Sequence, residues 1–225
     1  MDVASVRSRI AAAAARAGRR PEDVRIVAVT KGHPLERARE AVAAGLADLG
    51  ENRVQEALAK QAAWPDAPAR WHLIGHLQRN KVKLVVGRFV LIHSLDSIRL
   101  ADALEAVAAA AGLVQDVLVE VNVAREAQKS GALPDEAADL VHHAAALPHL
   151  RLGGLMTMAP YGAPPAVQHE VFGGLRELRD RVSRDSGVAT LDQLSMGMSG
   201  DFEIAVEEGA TMVRLGTILF GERAS

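Results

Sequence analysis

The feature that most constrains the fold is a rhythm. Eight apolar, β-branched-rich runs recur along the chain, at 24–30, 47–52, 71–76, 90–96, 116–123, 150–158, 191–197 and 212–221. Between most of them lie segments with apolar residues three and four apart, among them ERAREAVAAG, RVQEALAKQAA, SIRLADALEAVAAAAG, DEAADLVHHAAAL, VFGGLRELRDRVSR and DFEIAVEEGA. That spacing gives a helix one apolar face. Strand, helix, strand, repeated, implies parallel strands joined by crossovers, since a tight turn cannot join a parallel pair. Eight such units in about 200 residues fit a closed (β/α)8 TIM barrel more closely than the alternative, a doubly wound open sheet. Residues 77–89 carry the weakest helix signal.

Ahead of the first run, Val3, Val6, Ile10 and Ala14 fall at helical spacing. They predict an extra N-terminal amphipathic helix rather than a targeting peptide, which the early Asp2 and the weakly apolar alanines argue against. No linker, low-complexity tract or charge block divides the chain, so residues 1–225 read as one domain. APYGAPPA (159–166) is the single Pro/Gly-rich loop and follows the sixth run. No apolar run reaches the length that a membrane-spanning helix needs. Lys+Arg number 26 against Asp+Glu 28, and aromatics are 3%. That balance disfavours both phosphate-backbone neutralisation and base stacking, so no nucleic-acid partner is expected. The absence of cysteine removes disulfides, thiolate metal sites and cysteine nucleophiles, and fits a cytoplasmic location.

In a (β/α)8 barrel the chemistry gathers at the C-terminal ends of the strands. The first run, RIVAVTKGHP (25–34), delivers Lys31 to that end. The other ends supply Asn52, His76, Asn122, Met156 to Met158, the SMGMSGD loop, and Thr217 with its neighbours. In SMGMSGDFEIAVEEGA, Gly197 and Gly200 permit a tight turn with free N–H groups, and Ser199 or Gly200 can cap the helix that follows. Such a turn is a ready anion site, and the eighth run adds Arg214, Gly216 and Thr217. Met212, Arg214 and Gly216 share a face that can point into the barrel. A phosphorylated ligand at one end of the mouth and an amine at the other match pyridoxal 5′-phosphate, whose aldehyde condenses with lysine.

Each piece also has an ordinary reading. A lysine after a strand can be a solvated loop residue, the glycine-rich turn a plain helix start, and Arg214 an ion-pair partner. His72 and His76 suggest a metal only if helical; on a strand they stand ~13 Å apart, at ~3.3 Å per residue. His142 and His143 read as surface residues of a helix, and His33 as a loop residue near the ligand. HExxH, GxxxxGK[ST] and GxSxG are all missing, and Tyr161 is the single tyrosine.

Taken together, AVTKGHP, GENRVQEALAK, WHLIGHLQRNK, IHSLDS, LVEVNVAREAQKSG, GGLMTMAP and LSMGMSGDFEIAVEEGATMVRLGTILFGER resemble the YggS/PROSC family, the pyridoxal phosphate homeostasis proteins. The likeness spans nearly everything after the first helix. The Gly-His-Pro after the lysine departs from the family's pattern, while the lysine is kept. The resemblance implies a barrel of the alanine racemase N-terminal type. It implies that Lys31 forms a Schiff base with pyridoxal phosphate and that Arg214 faces the pyridine nitrogen. It further implies that Ser199, Gly216 and Thr217 hold the phosphate with Gly200 close by, and that Asn52 lies near the ring.

The role this implies is cofactor homeostasis without robust catalysis, with pyridoxal-phosphate-dependent apoenzymes as partners and a monomeric state. The rival is an amino-acid racemase, which needs a base on each face of the bound substrate. Lysine can be one of them, and the sequence shows no clear second. A sugar-phosphate aldolase using Lys31 is a third reading, disfavoured because no acid/base partner is evident.

Overall fold

The structure, a computed structural model, describes residues 1–186 and 191–222. Its centre is a closed barrel of eight parallel strands in sequential order. These are β1 (Arg25–Val29), β2 (Asp48–Glu51), β3 (Arg70–Leu73), β4 (Leu91–Leu95), β5 (Gln115–Glu120), β6 (Leu150–Met156), β7 (Gln193–Ser195) and β8 (Met212–Leu215). Closure is made by β8 against β1, with Ile26 opposite Val213 and Val27 opposite Arg214. The closed (β/α)8 expectation is met and the open-sheet alternative is not.

The crossovers are α2 (Leu35–Ala43), α3 (Val54–Ala63), α4 (Ile98–Ala111), α5 (Pro134–Ala145), α6 (Pro165–Ser186) and α7 (Phe202–Glu207). The weak segment after β3 folds as a short 3-10 helix, Arg79–Leu84. The extra N-terminal helix α1 (Val3–Arg16) buries Val6, Ile10, Ala13 and Ala14. It lies against α7, where Arg9 pairs with Glu203 at 2.7 Å and Arg16 with Glu207 at 2.5 Å. Arg19 donates to the carbonyls of Val206 and Ala210, at 2.6 and 2.9 Å, and so ties the chain after α1 to the end of α7 and the segment that follows it.

Period-2 alternation in the strands sorts side chains into two cores. Outward residues such as Ile26, Ala28, Leu49, Leu73, Val117, Val119, Leu155 and Val213 pack under the helices. Inward ones form a smaller cluster of Val27, Leu91, Leu118, Met156 and Met212, with Met158 packed on it.

Several strands are shorter than their runs, and two of these boundaries bear on candidate residues. The eighth run does not continue as strand to residue 221. It turns at Gly216 (φ −117°, ψ −81°) into a one-turn helix, α8 (Thr217–Phe220), which buries Leu219 and Phe220. A short apolar run such as TILF has no period that separates strand from helix. The third run stops at Leu73, so His76 leaves the sheet and pairs with Asp96 at 3.1 Å. His72 instead bonds His93 and Asp48 inside the barrel, and the described residues contain no group of three metal-ligating side chains.

Candidate active site at the barrel mouth

Lys31 follows β1 by two residues and shares the inward parity of Val27 and Val29. The turn that carries it is held on both sides from α3. Lys60 Nζ donates to the carbonyl of Thr30 at 2.7 Å, and Glu56 accepts the N–H of Gly32 at 2.5 Å. Gly32 takes φ +68°, a conformation that costs glycine little. Lys60 is itself buried, 2.7 Å from Glu51 Oε1 and 3.0 Å from Glu56 Oε1, while the Thr30 hydroxyl donates to Glu51 at 2.5 Å. Burial raises the Glu51 carboxyl above its ordinary range despite Lys60 and Thr30. In Glu56, burial is likewise the largest influence, but the Gly32 N–H and Lys60 outweigh it and lower the carboxyl.

The β7 and β8 ends approach this turn. A Cβ on Gly216 would sit 3.5 Å from Val29, so β8 passes close to the strand that carries Lys31. His33, in the same turn as Lys31, lies 5.3 Å from the Phe220 ring of α8. Ser199 Oγ accepts the N–H of Ile218 at 3.2 Å, joining the glycine-rich loop to the first turn of α8. Thr217 is exposed, and a Cβ on Gly200 would meet only open space. Ser199 and Gly200 do not cap the helix after β7. Asp201 takes that position and accepts the N–H of Met198 at 2.5 Å, which frees Ser199 to reach α8.

Arg214 is buried at 4% exposure. Its Nη1 donates to the Ser195 carbonyl and hydroxyl, both at 2.7 Å, and its Nη2 to the Thr157 carbonyl at 2.9 Å. Burial lowers the guanidinium to about 10 against the opposing charges of Asp201 and Glu120, so it stays cationic at neutral pH. Glu120, whose carboxyl is raised by burial, accepts from the Ser130 hydroxyl at 2.9 Å.

Asn52 follows β2, and its backbone is packed against Gly75. A Cβ there would lie 2.4 Å from the Asn52 carbonyl oxygen and 2.8 Å from its Cα. Gly75→Ala is therefore expected to lower stability by about 1–3 kcal/mol and to displace Asn52. An unchanged urea midpoint would contradict that close approach.

The inward positions also carry polar groups that the sequence reading did not single out: Asp48, His93 and Ser195. Their signal was parity, since each is a polar residue on the inward side of an otherwise apolar strand. Asp48 accepts from Arg70 at 2.7 and 2.5 Å and bonds His72 at 2.8 Å. Burial, the largest influence, pushes its carboxyl up, but Arg70 and His72 together hold it well below 3.8, the usual value. A depressed carboxyl contributes stability that is present above the unfolded value and lost as pH falls through the folded one. The urea-midpoint gap between the protein and Asp48→Asn is thus expected to be constant from pH 8 to 5 and to narrow progressively as pH falls below 3.8. A gap that is as wide at pH 2 as at pH 5 would contradict this.

The donor set is an amine on a fixed turn, a buried cation, and small residues with a hydroxyl at the β7–β8 ends. It fits a ligand that carries an aldehyde, an aromatic ring nitrogen and a phosphate.

Fold and site define a (β/α)8 barrel of the alanine racemase N-terminal type, with a lysine on the turn after β1. The model of the family described as "Alanine racemase, N-terminal domain" matches residues 1–224. A pyridoxal phosphate homeostasis protein of Aquifex aeolicus is 49% identical over 218 residues, covering 97% of this chain and 95% of that one. Its counterpart in Pseudomonas aeruginosa is 46% identical over 222 residues, covering 99% and 94%. The solved structure of PipY from Synechococcus elongatus with pyridoxal phosphate bound superposes with a TM-score of 0.85 at 38% identity, covering 96% of this chain and 100% of that one. The chain belongs to the alanine racemase N-terminal domain family, among its pyridoxal phosphate homeostasis proteins.

Proposed function

We propose that this protein binds pyridoxal 5′-phosphate covalently but reversibly through Lys31 and serves cofactor and amino-acid homeostasis in the cytoplasm, without robust catalysis. The observation that carries the reading is the clamp on Lys31. Lys60 and Glu56 fix the backbone on either side of a lysine just past the C-terminal end of β1, next to the Ser199–Gly216 end of the mouth.

When bound, the cofactor supplies an aldehyde that condenses with the lysine amine and releases water. The chain's own residues do the rest. Ser199, Gly216 and Thr217 would hold the phosphate, with Gly200 close by, and Asn52 would lie near the ring. Arg214, cationic and fixed by three hydrogen bonds, faces the pyridine nitrogen and disfavours its protonation, which leaves the ring a weaker electron sink. This arrangement suits holding the aldehyde and passing it to apoenzymes, with the protein as a monomer.

A racemase would need a second base. Tyr161, the chain's single tyrosine, is 100% exposed. The loaded protein incubated with L-alanine is expected to form a visible absorption band from the cofactor and to leave the alanine L. Turnover to D-alanine would overturn the non-catalytic part of the reading.

A further inference from the structure

A continuous polar chain crosses the barrel lumen beneath the mouth. Arg214 on β8 donates to Ser195 Oγ on β7 at 2.7 Å. Ser195 Oγ lies 2.8 Å from His93 Nδ1 on β4. His93 Nε2 lies 3.0 Å from His72 Nδ1 on β3, and His72 Nε2 lies 2.8 Å from Asp48 Oδ1 on β2. All five residues are buried. Past Asp48, Arg70 is half exposed and lines a cavity of about 560 Å³ with Arg7, Arg25 and Asp48, remote from Lys31 and from every candidate residue of the mouth.

The two ends fix the direction of every link. Guanidinium can only donate, and an ionised carboxylate can only accept. Ser195, already accepting from Arg214, has its hydroxyl proton to give to His93 Nδ1. His93 then gives its Nε2 proton to His72 Nδ1, and His72 gives its Nε2 proton to Asp48. Reversing any link would leave the Ser195 hydroxyl proton without either of its two partners.

We infer that Ser195, His93 and His72 are positioning residues: a one-directional relay that holds both imidazoles neutral with the proton on Nε2 and sets the orientation of the Arg214 guanidinium from the far end of the barrel. Burial above all, and the Arg214 charge with it, hold the His93 imidazolium well below its ordinary range against the pull of Asp48, which agrees with a neutral ring. The charged groups around the relay are Asp48 on β2, Arg70 on β3, Arg25 on β1, Glu120 on β5 and Asp201 after β7. Orienting Arg214 matters for the cofactor because a fixed guanidinium offers the ring nitrogen one stable electrostatic environment.

The inference rests on the pyridoxal phosphate reading for its consequence, but the relay is testable without the cofactor. In the cofactor-free protein labelled with 15N-histidine, His72 and His93 are expected to show the neutral Nε2–H tautomer at pH 7. Arg214→Lys, which still donates, is expected to keep both tautomers, and Arg214→Gln, which can also accept, to populate Nδ1–H at His93. Nδ1–H tautomers in the unmodified protein, or no response of His93 to Arg214→Gln, would overturn the relay.

In the loaded protein, Ser195→Ala and His93→Leu are expected to weaken pyridoxal phosphate binding about tenfold and to shift the pH midpoint of the visible band. His93→Gln, which keeps one donor and one acceptor, is expected to restore both. Equal behaviour of His93→Leu and His93→Gln would reduce these residues to packing and overturn the positioning role. If the unmodified protein develops no visible band, the cofactor reading fails, and the tautomers alone decide whether the relay exists.

Discussion

Lys31→Ala is expected to abolish the visible band that forms on adding pyridoxal phosphate, while changing folding stability by no more than about 1 kcal/mol. The two effects separate because of where the lysine stands. Its turn is held through the backbone, by the Glu56 carboxylate on the Gly32 N–H and the Lys60 amine on the Thr30 carbonyl. The phosphate end, formed by Ser199, Gly216 and Thr217, remains in the variant. Residual binding should therefore persist, but as a rapidly exchanging complex that gel filtration strips. A band of undiminished amplitude in Lys31→Ala would transfer the chemistry to another amine and remove the basis of the functional reading.

Lys60→Met is expected to have the largest effect on folding, a loss of about 3–5 kcal/mol. Lys60 is buried and meets Thr30, Glu51 and Glu56 within 3.0 Å. Removing its charge leaves Glu51, fully buried, without a cation, and its Oε2 already has no hydrogen-bond partner. Burial already raises the Glu51 carboxyl, so the variant can recover part of the loss by protonating it. That fixes the sign of the pH dependence. A carboxyl whose folded value lies above its unfolded one disfavours folding as pH rises, so the deficit should be smaller at pH 5 than at pH 8. Replacing the pair together, as Lys60→Met with Glu51→Leu, should restore most of the stability, because an apolar pair of similar volume avoids the buried charge. The same variant should still show a weakened or broadened visible band, since the Thr30 carbonyl is no longer held. A deficit below about 1 kcal/mol in urea unfolding would mean that the cluster behaves as a solvent-exposed pair.

The barrel and the ring of candidate residues were legible for the same reason. Strand alternation puts Arg214 on the inward face without any structure, Lys31 stands at the end of the first run, and the ends of eight parallel strands converge on one mouth. The glycines of SMGMSG marked the turn after β7, although which residue caps the next helix did not follow from them, since Asp201 and Ser199 are both competent caps. The end of β8 was misplaced because Thr217–Phe220 is too short to express a period. Two features escaped for a different reason. Glu56 and Lys60 are four apart on α3 and look like a solvated helix-surface pair; only the packing of α3 over the Thr30–Gly32 turn buries Lys60 and makes the pair a clamp. The relay draws one residue from each of five strands, separated by as many as 166 positions between Asp48 and Arg214. Each of its residues looks isolated in sequence, and His72 invited comparison with the neighbouring His76 rather than with His93.

The central claim, one lysine carrying the cofactor, is tested most directly by borohydride reduction of the loaded protein followed by peptide mapping. The account predicts a single stable adduct, located on Lys31, with Lys60 unmodified because it is buried and ion-paired. An adduct confined to another lysine, or none after loading, would contradict it.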